Sequence, residues 1–207
     1  MTGEDVEAFE RCIAAGGVAV FPADTVYGLA TDPESEEGVR RIYALKGRPA
    51  ERPSAVMFFS LADALAALPE LGPRARAACE ALLPGGVTLL LPNPRRRWPL
   101  ACGPAPERLG LRVPDLDGPL APLATVRRPV LQTSANPSGG ADARRLADVD
   151  PAIRAGADVV LDAGELPGTP STVVDLTAFE ARGDHAILRE GAVPAAKIAA
   201  RLREVAG

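Results

Sequence analysis

Val18-Ala19-Val20-Phe21, running straight into Pro22-Ala23-Asp24-Thr25-Val26-Tyr27-Gly28-Leu29, is the stretch that decides the fold. The first part is too short and too uniformly apolar for an amphipathic helix, and it reads as a buried strand. The second packs hydroxyls, a carboxylate and a phenol around a glycine, the chemistry of a turn that follows a strand. Upstream, Val6, Phe9 and Ile13 recur at helical spacing across residues 4–15, and Gly16-Gly17 ends that helix. Helix, strand and polar turn therefore follow one another without a break.

The same alternation continues along the chain. Asp32-Pro33 offers a cap and a first-turn proline for a helix carrying Val39, Ile42 and Tyr43. Residues 55–59 read as a strand, Ser60 to Asp63 as a capping box, and Pro73 as the start of a helix reaching Leu83. Further strands are expected at 87–91, 109–113, 130–133, 158–161, 172–176 and 186–188. Helices are expected within 118–126 and 142–155, and after Pro194, where Ile198, Leu202 and Val205 share one face. Strands interleaved with helices predict an α/β fold with helices on both faces of the sheet. The late strands lack long helices between them, so the sheet is expected to mix parallel and antiparallel pairs. No repeat or linker divides the 207 residues, which predicts a single domain over 1–207.

Hydrophobic residues make up 47% and charged residues 24%, ordinary globular values. The net charge of -4 excludes a polybasic coat for nucleic acid but leaves room for a local basic pocket. Cys12, Cys79 and Cys102 are widely spaced, no CxxC occurs, and His185 is the 1 histidine. A Cys/His zinc site or a Ser-His-Asp triad has almost no material here. An acidic N-terminus and the lack of a long apolar run argue against a signal peptide and a membrane span, so a reducing, cytoplasmic home is expected.

Ligands of open α/β sheets collect at the carboxyl ends of strands, and four segments fit that position. They are residues 22–29; Lys46-Gly47-Arg48-Pro49 at a helix end; Gln132-Thr133-Ser134-Ala135-Asn136-Pro137-Ser138-Gly139-Gly140; and Gly168-Thr169-Pro170-Ser171-Thr172. Arg112 and Arg189 close further strands, well placed to grip phosphate or carboxylate. Each segment alone is as readily an ordinary turn, cap or surface loop. Together they predict an anion site built from Lys46, Arg48, Arg112 and Arg189, for a phosphorylated or carboxylated ligand. The residues by themselves name no reaction.

Taken in order, the segments resemble the YrdC-like family of threonylcarbamoyl-AMP synthases. The resemblance runs from Gly17 to about Gly191. It rests on residues 21–29, Lys46-x-Arg48-Pro49, Leu83-Pro84-Gly85-Gly86-Val87-Thr88-Leu89, Leu111-Arg112-Val113-Pro114, Ser134-x-Asn136-x-Ser138-Gly139, Pro170-Ser171-Thr172-Val173-Val174-Asp175 and Ile187-Leu188-Arg189-x-Gly191. It implies a twisted mixed sheet around a concave basic cavity. It also implies synthesis of threonylcarbamoyl-AMP and pyrophosphate from L-threonine, bicarbonate or CO2, and ATP. Separate transferase proteins would then use the product to modify tRNA.

By the same resemblance, Lys46 and Arg48 would neutralise the triphosphate, and Ser134 and Asn136 would position it. Arg189 and Arg52 would hold the nucleotide. Threonine would lie near Thr25 and Tyr27, its carboxylate on Arg112 and with Ser171 in reach. Mg2+ would bridge phosphate oxygens with few protein ligands. Where family members often carry a histidine, this chain has Met57, which would sit by the substrate methyl. Two other readings are an RNA-binding module using Arg95-Arg96-Arg97-Trp98, Arg127-Arg128 and Arg144-Arg145, and a paralogue that binds or hydrolyses nucleotide without threonine.

Overall fold

A computed structural model describes residues 1–49 and 51–205; residues 50, 206 and 207 lie outside the description. The chain starts with helix α1 (Gly3–Ala14), capped by Thr2, whose hydroxyl accepts from Asp5 N while Asp5 returns the favour to Thr2 N. A tight hairpin follows, β1 (Ala19–Pro22) and β2 (Tyr27–Thr31), paired antiparallel. The polar stretch after Phe21 is thus the loop of a hairpin, and Tyr27, Gly28 and Leu29, expected as turn, open a strand that runs to Thr31. All five of its residues are buried, so the polar alternation that usually betrays a strand is missing.

Next come α2 (Glu36–Lys46), β3 (Ala55–Met57), α3 (Leu61–Ala67), α4 (Pro73–Leu82), β4 (Val87–Pro92), α5 (Pro99–Cys102), β5 (Arg108–Arg112) and β6 (Val130–Ser134). The chain then forms α6 (Pro151–Gly156), β7 (Val159–Val160), β8 (Thr172–Asp175), α7 (Phe179–Arg182), β9 (Ala186–Arg189) and α8 (Ala195–Val205). Helix α2 is capped by the Ser35 hydroxyl, 3.0 Å from Gly38 N, and not by Asp32-Pro33 as expected; Asp32 instead closes a turn onto Glu34 N. The helix expected at 118–126 is a 3-10 segment, Gly118–Thr125, with Pro122 inside it. That proline removes the amide an α-helix would need there.

The strands form one sheet in the order β7-β1-β2-β6-β3-β5-β4-β8-β9, with β1/β7, β3/β5 and β4/β8 parallel and the other pairs antiparallel. The expected mixed sheet is present. Strand alternation sorts its side chains onto two faces. Val20, Tyr27, Leu29, Val56, Leu89, Leu91, Leu109, Leu111, Leu131 and Val174 enter one core, with Ile42, Leu65, Cys79, Ile153 and Leu202 from the helices above it.

Helices lie on the other face too, but only over part of it. Ala19, Phe21, Ala30, Met57 and Val130 are covered there by Phe9 and Ile13 of α1 and by Leu123 of the 3-10 segment. Phe9, Phe21 and Phe59 stack with ring centroids 5.4 to 6.3 Å apart, each such pair adding about 1 kcal/mol beyond its buried area. The cover stops there. The rest of this face, over β5, β4, β8 and the adjoining ends of β6 and β3, is the floor of a cavity.

Candidate active site

Strand register lays out the cavity floor as a grid. One row carries Arg112 of β5, Thr88 of β4, Val173 of β8 and Arg189 of β9. The next carries Gln132, Ala55, Gly110 and Leu90. A third holds Ser134 at the end of β6 and Arg108 at the start of β5. The space above has a volume of about 390 Å³ and is walled further by Arg48, Asp142, Ser171 and Leu188. Volumes of this order suit a small-molecule ligand.

Arg112 is 4% exposed and donates to the Asp24 carboxylate and, at 2.7 Å, to the Thr25 hydroxyl. The second Asp24 oxygen accepts from Asp115 N at 3.1 Å. The hairpin loop thus fixes the guanidinium from one side, while its Nε is buried with no partner among the described residues. A free, desolvated donor on a held cation matches an incoming carboxylate or phosphate oxygen. Ser171 Oγ and Thr88 Oγ1 share a hydrogen bond of 2.8 Å, and Arg189 donates to Ser171 O at 2.8 Å. Gly191 permits this arrangement, because a Cβ there would collide with Pro170 O and Ser171.

Opposite, the loop after β6 is built around Lys46. Its ammonium donates to Ser134 O, to Asn136 O at 2.6 Å and to Asn136 Oδ1 at 3.2 Å, while Ser138 N donates to Lys46 O at 2.7 Å. Ser134 Oγ donates to Asn136 Oδ1 at 2.5 Å, and Asn136 Nδ2 to Gly140 O at 2.5 Å. Lys46 is therefore the clamp of this loop and is not itself part of the cavity wall; its three donors are already used on oxygen acceptors. Arg48 does line the cavity, with one nitrogen on Pro53 O at 2.5 Å and a buried Nε that has no partner among the described residues.

Burial, reinforced by the Arg48 charge, lowers the Lys46 ammonium from 10.5 to about 8. Between those values the unfolded chain holds a proton that the folded chain has lost, so stability is expected to rise with pH from about 8 to 10.5. Affinity for a polyanion should move the other way, weakening above about 8 as the charge is lost. Denaturant midpoints and titrations of tripolyphosphate from pH 6.5 to about 10 check both directions. Parallel movement of the two would contradict the assignment.

Thr25, Lys46 and Asn136 do not line the cavity but lie behind residues that do, and three further expected residues stand elsewhere. Tyr27 points to the opposite face of the sheet, fully buried, its hydroxyl donating to Asp162 Oδ1 at 2.6 Å and Gly164 O at 2.9 Å. Burial and then Asp162 push its phenol up to about 12. It is a strut between β2 and the segment after β7. Met57 shares the cavity face, but α1 and its neighbours cover it completely. Arg52 is exposed and outside the cavity wall.

Sequence reading overlooked Asp24 as the partner of Arg112, and missed Arg108 and Gln132. The alternation 108, 110, 112 was a usable signal, since it places both arginines and a glycine on one face of β5. The strand-end rule also misdirects: β6 runs antiparallel to β3 and β3 parallel to β5, so Ser134 and Arg112 close strands at opposite ends. They meet over a shared face instead. Among the described residues no group of three or more His, Cys, Asp or Glu gathers around a metal position, and no helix is long and apolar enough to cross a membrane.

A mixed sheet with part of one face left open, and arginines and a lysine-clamped polar loop around the opening, gives an α/β fold whose cavity has the chemistry an anion would need. The Sua5/YciO/YrdC family model, described as telomere recombination, matches residues 11–191. The chain belongs to that family. The threonylcarbamoyl-AMP synthase of Stutzerimonas stutzeri is 33% identical over 178 residues, covering 84% of this chain and 94% of the relative. That of Pyrococcus abyssi is 29% identical over 208 residues, covering 98% of this chain; the chain spans only 60% of its length. The crystal structure of P. abyssi Sua5 complexed with L-threonine superposes with a TM-score of 0.80 at 26% identity, covering 99% of this chain and 59% of that one.

Proposed function

We propose that this chain is a threonylcarbamoyl-AMP synthase, a cytoplasmic enzyme acting on L-threonine, bicarbonate or CO2, and ATP. The observation that carries the reading is the pairing, across one cavity, of a held guanidinium with a free Nε and a polar loop clamped by a buried lysine. The first suits an amino-acid carboxylate and the second a polyphosphate. Two anions must approach each other in this reaction, and convergent cations lower that cost. The relatives named as such synthases give the reading its chemistry.

The threonine ammonium group and bicarbonate would combine to a carbamate, releasing water and a proton. A carbamate oxygen would then attack the α-phosphorus as the bond to the bridging oxygen breaks and pyrophosphate leaves. Arg112 and Thr25 would hold the amino acid, with Ser171 beside them. Arg48, Ser134 and Asn136 would bind the phosphates, Lys46 would hold their loop and add its charge, and Arg189 would fix the nucleotide from β9. Orientation and charge cancellation do the catalysis, and no nucleophilic side chain is required.

The donor set fits Mg2+ delivered on the triphosphate, because Asp142 is the carboxylate in the described cavity wall and such ions keep waters and phosphate oxygens around them. Asp142 and the Ser134 hydroxyl are the groups that would hold it. When bound it supplies neutralisation of phosphate charge. Downstream transferases that carry the product to tRNA complete the proposal.

Pyrophosphate release from ATP, with threonine and bicarbonate left out in turn, tests the reading. Dependence on both is expected; turnover without them would point to the nucleotide hydrolase, and salt-sensitive RNA retention without turnover to the binding module. Arg48→Ala is expected to lower kcat/KM for ATP by about a hundredfold with little change in the denaturation midpoint. A rate within twofold of the parent would remove Arg48 from the site.

A further inference from the structure

We propose that Gln132 binds the carbon-dioxide-derived group, holding bicarbonate and then the carbamate between the amino acid and the α-phosphate. The inference rests on the synthase reading above. Three observations lead to it. Gln132 is 92% buried as the complement of its 8% exposure, it lines the cavity, and its carboxamide makes no hydrogen bond to any described residue. The carboxamide reaches the cavity with its donor and acceptor uncommitted to protein, so both are free for a ligand.

Its place on the grid says which part of the ligand. Arg112 and Ser134 stand in the outer rows, two steps apart along the strands, or roughly 13 Å at about 3.4 Å per residue. A group that must touch both an amino acid held by Arg112 and a phosphate held beside Ser134 lies over the middle row. That row is Gln132, Ala55, Gly110 and Leu90. Ala55 and Gly110 leave a trough, Leu90 has nothing polar to offer, and Gln132 alone brings a donor and an acceptor. A carbamate presents an N–H and two oxygens, and a carboxamide can meet both at once: Nε2 donates to an oxygen while Oε1 accepts the N–H.

Gly28 of β2 gives the carboxamide its seat. A Cβ at that position would lie 2.9 Å from Gln132 Nε2 and 3.0 Å from a Phe21 ring carbon. The neighbouring strand therefore keeps clear the space the amide occupies, and it does so between a covered aromatic cluster and the open cavity. The neutral amide also adds no charge to a floor whose outer rows already carry the cations.

The test measures KM for bicarbonate, threonine and ATP in CO2-depleted buffer for the parent and for Gln132→Met, which keeps length and bulk without the amide. A rise of about tenfold or more in the bicarbonate KM is expected, the loss of a hydrogen bond to a charged group, with threonine and ATP values within about threefold. Gln132→Glu keeps the shape and should raise the bicarbonate KM further, by setting a negative charge against the anion; it carries the test if the methionine variant does not fold. A smaller rise in bicarbonate KM, or equal losses for all three substrates, overturns the proposal. A parent protein that turns over ATP without bicarbonate overturns the synthase reading itself, and this inference with it.

Discussion

Lys46→Ala is expected to reduce pyrophosphate release about a thousandfold, the larger end of what a lost electrostatic stabiliser costs. The effect comes through the loop. Without the ammonium, Ser134 O, Asn136 O and Asn136 Oδ1 lose their shared donor in a buried site. The Ser134 hydroxyl, now fixed by its bond to Asn136, loses its orientation toward the cavity. The protein itself should remain folded, because removing the lysine also removes a buried charge whose desolvation already holds its pKa near 8. The rise in stability from pH 8 to 10.5 should disappear in the variant, which ties the measurement to this side chain. Lys46→Met, which preserves the packed stem, should be equally inactive. Parent-like turnover in the methionine variant would show that the ammonium is dispensable.

The second large effect concerns Arg112, and the single variant alone would mislead. Arg112→Ala strands the Asp24 carboxylate, whose side chain is only 8% exposed, with Asp115 N as its remaining donor. Breaking one side of a buried ion pair costs about 3–5 kcal/mol. Threonine binding should weaken by about a hundredfold, but part of any loss would come from the disturbed hairpin loop. Arg112→Ala combined with Asp24→Ala separates the two: stability should recover by half or more of the single variant's loss, and threonine affinity should not. Titrations of threonine and ATP on the double variant decide the matter. Parent-like threonine affinity, or equal losses for both ligands, would defeat the assignment of Arg112 to the carboxylate.

Much of the architecture was legible in local pattern. Helices α1, α4 and α8 show apolar spacings of three and four, and the alternation in β4, buried at 87, 89 and 91, matches its position between a core and a cavity. Strand β2 escaped because it is buried on both sides, so burial left no alternation to read. Tyr27 was misplaced for a related reason. One residue of register turns a strand side chain to the other face, and the pairing of Gly28 with Ser134 puts Gly28, not Tyr27, on the cavity side. Met57 has the right face but the wrong half of it, since α1 and the 3-10 segment cover that end.

Residue chemistry at short range was settled by the chain itself: where helices start, which runs are buried, and which loops carry cations and hydroxyls. Those depend on neighbours a few positions away, and the pattern of apolar and polar residues records them. Which cations share a cavity was decided by the sheet. Strand order and register bring together Arg112, Ser134 and Gln132 from strands that begin and end at different edges, and leave Tyr27 behind the sheet. Pairing between strands far apart in sequence is a balance over the whole molecule, so no single stretch of it carries the answer.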